Sequence, residues 1–256
     1  MSMSARERIA RGVATDLPDG AYVNLGIGLP TLVADYIPAA REIVFHSENV
    51  LLGVGPVPEK GLENPDLVNA GKVPVTLLPG ASIFHHNDSF MMIRGGQIDC
   101  ALLGAFQVNA HGDLANWTTG EDTKPPGVGG AMDLAVGAKA VWVLMEHCTK
   151  DGRPRIVERC TFPLTGTRVV KRIYTELAVI EINNGLKVIE MAEGVSFEHL
   201  QKVTKRCRAL QKSETSFGMA AFAVSPKSMR HQTRHQFNEI TNPCLQKKNI
   251  RRHRCI

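Results

Sequence analysis

Glu48 closes an apolar run in the segment Phe45-His46-Ser47-Glu48-Asn49-Val50-Leu51-Leu52-Gly53. If that run is a strand, the carboxylate stands at its carboxyl end, where open α/β sheets bind ligands. Aliphatic neighbours on either side would partly strip it of water. Desolvation disfavours the charge and sharpens the group as a nucleophile toward an acyl carbon. A solvent-facing glutamate that merely ends a strand would give the same pattern. Three glycine-rich turns accompany it: Gly26-x-Gly28, Gly53-x-Gly55-Pro56 and Gly127-x-Gly129-Gly130. Each would let backbone N–H groups approach a phosphate, a thioester carbonyl or an oxyanion, although ordinary strand-to-helix turns share this composition. None is a dinucleotide-binding or Walker loop, so dehydrogenase and kinase chemistry lose their support. His85-His86-Asn87-Asp88 places two imidazoles side by side. Read as strand, they point to opposite faces, and no third ligand follows at metal-site spacing. A structural or substrate-lining role is expected there, and no metal site. Trp117 reads as core or pocket wall.

The elements that must hold these residues are legible from local pattern. Ser4 and Glu7 form a capping box ahead of Ile9, Val13 and Leu17, which predicts a helix over about 4–17. Strands are expected at Ala21–Leu25, Ile43–His46, Val73–Leu78, Cys100–Leu103 and Ala140–Met145. Pro30 suits the first turn of a helix after Gly28, and Gly127–Gly130 opens one through Ala131–Val136. Val169–Tyr174, Leu177–Ile182 and Leu186–Met191 follow as strands, the last two joined by Asn183-Asn184-Gly185, a hairpin signal. Ser196 caps a short helix through Leu200 and Val203. Apolar strands alternating with helices predict an α/β fold, a mostly parallel sheet with helices on both faces.

Charge divides the chain. Residues 202–256 carry 13 of the 30 Lys+Arg but 2 of the 25 Asp+Glu, a net of +11, whereas residues 1–201 carry a net of −6. The reading is therefore one domain over 1–203 and a basic, poorly ordered tail over 204–256. Such a tail could bind nucleic acid. It has no complete zinc pattern, no clear amphipathic helix and only Phe217, Phe222 and Phe237 as aromatics, so nucleic acid is not the expected partner. Six cysteines are present, none in a C-x-x-C pair. No signal peptide and no run near the roughly 18 apolar residues of a bilayer span are visible, so a soluble, cytoplasmic protein is expected.

Eight of the nine residues of Phe45–Gly53 agree with the signature of the second (beta) subunit of family I 3-oxoacid CoA-transferases. The chain also resembles that family at YVNLGIGLPT (22–31), FHHNDSFMMIRGGQID (84–99), LLGAFQVNAHGDLANW (102–117), GVGGAMDL (127–134) and CTFPLTGTRVVKRIYTELA (160–178). The similarity covers about residues 4–203. It departs at Val50, where the family has glycine. Glycine there suggests a positive φ or close approach to the acyl-CoA, and a β-branched residue suits neither. If valine drives the loop to negative φ, Glu48 moves with it.

The resemblance implies a CoA-transferase domain and a ping-pong transfer. Glu48 would attack the thioester of a donor such as succinyl-CoA and carry CoA as a glutamyl thioester to a 3-oxo acid. Gly26, Gly28, Asn49, Gly129 and Gly130 are the candidates for oxyanion and CoA binding. No metal or organic cofactor is implied beyond the CoA substrate. The stretches 118–127, 161–164 and 172–178 are more similar to the 3-oxoadipate-type members, whose substrate has a second carboxylate. Arg94 and Lys124 are the candidates to receive it. Acetoacetate is the alternative within the family; a catalytically impaired subunit with a nucleic-acid-binding tail is the alternative outside it. The signature of the alpha subunit is missing from this sequence, so the resemblance also implies a separate alpha partner, in a heterotetramer of two alpha and two beta chains.

Overall fold

The computed structural model describes residues 3–120, 127–204 and 210–212, all within one compact unit, residues 1–222. The chain opens with α1 (Ala5–Asp16), whose N-terminus is closed by the expected capping box: Glu7 N donates to Ser4 Oγ and Ser4 N to Glu7 Oε2. Its apolar stripe, Ile9, Ala10, Val13 and Ala14, is fully buried.

Next come β1 (Tyr22–Leu25), a 3₁₀ helix over Leu29–Tyr36 with Pro30 in its first turn, β2 (Val44–Ser47), β3 (Leu51–Val54) and β4 (Leu77–Ile83). They are followed by α2 (His86–Arg94), β5 (Cys100–Gly104), β6 (Gln107–Asn109), β7 (Leu114–Ala115), α3 (Ala131–Gly137) and β8 (Ala140–Leu144). The last elements are β9 (Ile156–Val157), β10 (Val170–Tyr174), β11 (Ala178–Ile182), β12 (Leu186–Met191), α4 (Phe197–Val203) and β13 (Leu210–Lys212).

Ten of these strands form one sheet in the order β13-β12-β11-β10-β8-β5-β1-β2-β3-β4. The central run β10-β8-β5-β1-β2 is parallel, as the continuous apolar strands required. Antiparallel hairpins extend it at both ends. The pleat sorts side chains onto two cores. From β5 and β8, Ala101, Leu103, Val141 and Val143 pack with Ile93 of α2, Leu134 of α3 and Leu200 of α4. Cys100, Leu102 and Leu144 face the other way, onto Ile9 and Val13 of α1 and Val33 of the 3₁₀ helix. Helices therefore cover both faces.

Four local readings differ from the structure. The strand expected at Val73–Leu78 is instead β4, which starts at Leu77; Pro74 makes only an isolated bridge to Val68. Pro79 is tolerated within β4 because that strand is the sheet edge. His85 and Asp88 do not belong to a strand: they form the capping box that starts α2. Leu51–Val54, where no strand was expected, is the strand β3, so Gly53 of the expected glycine-rich turn lies within a strand. The fold also continues past Val203. Leu210, buried against the core, begins β13, which pairs in parallel with β12. Three residues in a strongly basic stretch are too few for a periodic signal to emerge. The rest of the 204–256 tail lies outside the described residues.

Candidate active site

The carboxyl ends of the parallel strands β1, β2, β5 and β8 converge on a cavity of about 1070 Å³. Gly26 and Ile27 follow β1, Glu48 and Asn49 follow β2, Ala105 and Phe106 follow β5, and Met145 and Glu146 follow β8; all line it. His86 and Phe90 of α2 and the loop Gly127–Gly130 complete the wall, together with Trp117, which lies within reach of Leu164 O through its indole N–H at 3.4 Å.

Glu48 occupies the turn between β2 and β3, closed by Val50 N donating to Ser47 O at 3.1 Å. It is half-buried. One carboxylate oxygen, Oε2, accepts from Asn24 Nδ2 at 3.1 Å. Asn24 is a fully buried amide in the middle of β1. Its Nδ2 also lies 3.0 Å from His46 Nδ1, and His46 Nε2 lies 3.0 Å from Ser89 Oγ. His46 and Ser89 are themselves fully buried, and the Phe84 ring stacks parallel to the imidazole at 6.2 Å. Burial pushes the His46 pKa down to about 4, so the ring is neutral at physiological pH. Asn24 Oδ1 has no hydrogen-bond partner among the described residues.

Val50 holds φ 91, outside the left-handed well near +50 to +70° that non-glycine residues occasionally use. The backbone that glycine suggested is thus present with valine in it. The expected retreat to negative φ does not occur, because Val50 is held on both sides: its N–H to Ser47 O and its carbonyl to Phe84 N at 3.3 Å. The Glu48 turn keeps its shape and stores the strain.

The glycine candidates divide. Gly130 packs against the Glu48 side chain: a Cβ there would stand 3.6 Å from Glu48 Cγ and 3.1 Å from Phe90 Cζ. Gly129, at φ 56, adjoins it on the cavity wall. Gly26 lines the cavity but donates its N–H to Leu102 O at 2.8 Å, so that amide is not available to an oxyanion. Its role is close packing, since a Cβ would meet Leu102 O at 2.5 Å. Gly28, at φ 90, makes the turn into the 3₁₀ helix, its carbonyl accepting from Thr31, and is not part of the cavity lining. Asn49 lines the cavity, yet its side chain is turned into the neighbouring loop: Oδ1 accepts from Ser47 Oγ at 2.6 Å and Nδ2 donates to Val68 O at 2.7 Å.

Arg94 does not reach the cavity. It sits at the exposed end of α2 and pairs with Asp133 at 2.7 Å. Lys124 lies outside the described residues. The cations that do line the cavity are Arg6, Lys150 and Arg155, none of which stood out in the sequence. Arg155 donates Nη1 to Ala105 O at 3.0 Å, at the end of β5, and its buried Nε has no partner among the described residues. It forms no ion pair with a described carboxylate. Asn24 was also missed, although an amide between Val23 and Leu25 of an apolar strand is a visible signal of a buried polar contact.

The chain matches the coenzyme A transferase family over residues 6–202. It is 58% identical over 200 residues to the B subunit of 3-oxoadipate CoA-transferase from Acinetobacter baylyi, covering 78% of this chain and 92% of that one. It is 51% identical over 201 residues to the B subunit of succinyl-CoA:3-ketoacid coenzyme A transferase from Helicobacter pylori, covering 78% and 96%. Among solved structures, glutaconate coenzyme A-transferase from Acidaminococcus fermentans superposes with a TM-score of 0.60 at 15% identity, covering 84% of this chain and 90% of that one. Its fold is the fold seen here.

Proposed function

The chain belongs to the coenzyme A transferase family, and on that premise we propose that it is the glutamate-bearing beta subunit of a 3-oxoacid CoA-transferase, with succinyl-CoA as donor and 3-oxoadipate as acceptor. The observation that carries the reading is the posture of Glu48 at the head of the cavity. Asn24 pins Oε2, which leaves Oε1 to attack the thioester carbonyl. The product is a mixed anhydride with release of CoA thiolate. The thiolate then attacks the Glu48 carbonyl carbon and expels succinate, leaving the glutamyl-CoA thioester. In that second attack negative charge develops on Oε2, toward which the Asn24 N–H is already aimed. A 3-oxo acid carboxylate reverses the sequence and leaves as its CoA ester. The thioester conserves the bond energy, so neither ATP nor a cofactor is called for. The backbone N–H groups of Gly129 and Gly130, on the cavity wall beside Glu48, are assigned to the oxyanion on the acyl side.

The preference for a dicarboxylate rests on Arg155. Its anchor, Ala105 O, lies at the end of β5, two strands from β2, which Glu48 follows, a spacing of roughly 10 Å between those strands, and its guanidinium is a planar fork of donors suited to a carboxylate. It takes the role first assigned to Arg94 and Lys124, with Lys150 and Arg6 nearer solvent. The similarity to the Helicobacter pylori protein supports acetoacetate as the competing acceptor. Relatives named as B subunits support a separate alpha-subunit partner; we assign two copies of each chain and a cytoplasmic location. Among the described residues no helix is long and apolar enough to cross a membrane.

The test reconstitutes the chain with a matching alpha subunit and succinyl-CoA, then compares 3-oxoadipate with acetoacetate. Borohydride reduction should convert Glu48 to the alcohol and trap the thioester there. Reduction mapping to another residue, or acetoacetate as the better acceptor, refutes the corresponding half of the proposal.

A further inference from the structure

Behind Glu48 lie two buried side chains, His46 and Ser89, whose geometry decides which end of the Asn24 amide faces the carboxylate. An amide nitrogen only donates, and Asn24 Nδ2 faces both Glu48 Oε2 at 3.1 Å and His46 Nδ1 at 3.0 Å. His46 Nδ1 must therefore present a lone pair, which places the ring proton on Nε2. That proton has Ser89 Oγ, 3.0 Å away, as its acceptor. Were the proton on Nδ1 instead, it would call for the amide oxygen. The amide would turn over, and Oδ1 would face the carboxylate oxygen at hydrogen-bond distance as a repulsive contact. Nothing on Asn24 itself opposes that rotation, because Oδ1 has no partner among the described residues. The orientation is set by the two groups that the amide faces, the carboxylate, which only accepts, and the imidazole.

We propose that Ser89, by accepting the His46 Nε2 proton, holds the imidazole with its Nδ1 lone pair toward Asn24 and so steadies the amide with its N–H toward Glu48, which makes Ser89 and His46 positioning residues of the CoA transfer. This rests on Glu48 being the nucleophile. Ser89 reaches the nucleophile through three hydrogen bonds and from a different element: it lies on α2, whereas His46 and Glu48 belong to β2 and its turn. The chain Ser89–His46–Asn24–Glu48 is thus a proton-ordering relay that carries no proton during turnover. Glutamine at position 46, like a neutral imidazole, would offer one acceptor end and one donor end, so it could serve Asn24 and Ser89 in the same sense.

The experiment uses the reconstituted two-subunit enzyme and reads the rate of borohydride-trappable thioester formation from succinyl-CoA, with kcat and KM. Removing a charge-assisted hydrogen bond to the nucleophile should cost about 10- to 100-fold. Ser89→Ala should lower kcat by that amount and leave KM for succinyl-CoA within about twofold. His46→Gln should keep most of the rate, whereas His46→Leu should fall at least as far as Ser89→Ala. The decisive arm is a double-mutant cycle with Asn24→Ala. If Ser89 works only through Asn24, Ser89→Ala has no further effect once the amide is gone. Full additivity of the two losses, or a Ser89→Ala enzyme as fast as the parent, overturns the proposal. A trapped thioester on a residue other than Glu48 would instead overturn the functional reading beneath it.

Discussion

The strain at Val50 can be measured without touching catalysis. Val50→Gly alone mixes three effects: relief of backbone strain, loss of a half-buried isopropyl group and the entropy of glycine in the unfolded chain. Val50→Ala against Val50→Gly isolates the first. Both variants lose the isopropyl group, and only the alanine keeps a Cβ in a backbone at φ 91. A left-handed conformation costs an L-residue roughly 1–2 kcal/mol, while glycine ordinarily costs about 0.5–1 kcal/mol relative to alanine. The usual order should therefore invert. V50G should be more stable than V50A by about 0.5–1 kcal/mol, which for a domain of this size raises Tm by roughly 1–4 °C. Thermal unfolding followed by circular dichroism reads the difference directly. The turn already holds Glu48 against Asn24, so neither variant should raise kcat by more than about twofold. A V50G protein that unfolds below V50A would show that the Cβ meets no strain at this position. A large gain in rate would show that valine had displaced Glu48 after all.

Further tests follow from other groups. Arg155→Gln should raise KM for 3-oxoadipate at least about tenfold, the order of one charged hydrogen bond, and leave acetoacetate unaffected; equal losses with both acceptors would remove Arg155 from substrate selection. His46 and His147 are buried and neutral, each with its pKa lowered from 6.5 to about 4 by desolvation. Between those values the unfolded chain binds the extra protons, so stability should be intact above about pH 7 and decline as pH falls toward 4, by up to about 3 kcal/mol per histidine. Denaturant midpoints at pH 7 and pH 5 check this, and His147→Gln should flatten the decline; a midpoint that does not move with pH would refute it. Finally, purified alone, the chain should show no transferase turnover, and addition of an alpha subunit should restore it. Strong activity of the single chain would contradict the two-subunit reading.

What the sequence made legible, and what it hid, follows from the range of the forces involved. The capping box of α1, the continuous apolar runs of β5 and β8 and the Asn-Gly turn between β11 and β12 are local, and each stands in the structure within a residue or two of where the pattern put it. Glu48 was legible because a strand end is a local property and the strand order then brings four such ends together. The hidden parts are set by partners far away in sequence. The pair of histidines at 85 and 86 reads as strand until Asp88 folds back to cap His85, and only then is it a helix start. Arg94 looked like a substrate cation because its partner, Asp133, lies 39 residues away. Arg155 looked like one more basic residue in a loop because its anchor, Ala105 O, is 50 residues away.

The same reasoning explains why Val50 misled. A residue-by-residue rule sees valine where glycine belongs and expects the backbone to yield. The backbone does not yield, because Ser47 and Phe84 grip it from both sides through hydrogen bonds that no nearest-neighbour rule contains. Two such bonds, at roughly 1 kcal/mol net each, match the strain of one unfavourable φ. The Glu48 turn is accordingly determined by the sheet that frames it, and only secondarily by the residue within it. A family signature can then lose its glycine and keep its geometry, as long as β2, β3 and the start of α2 stay in register around it.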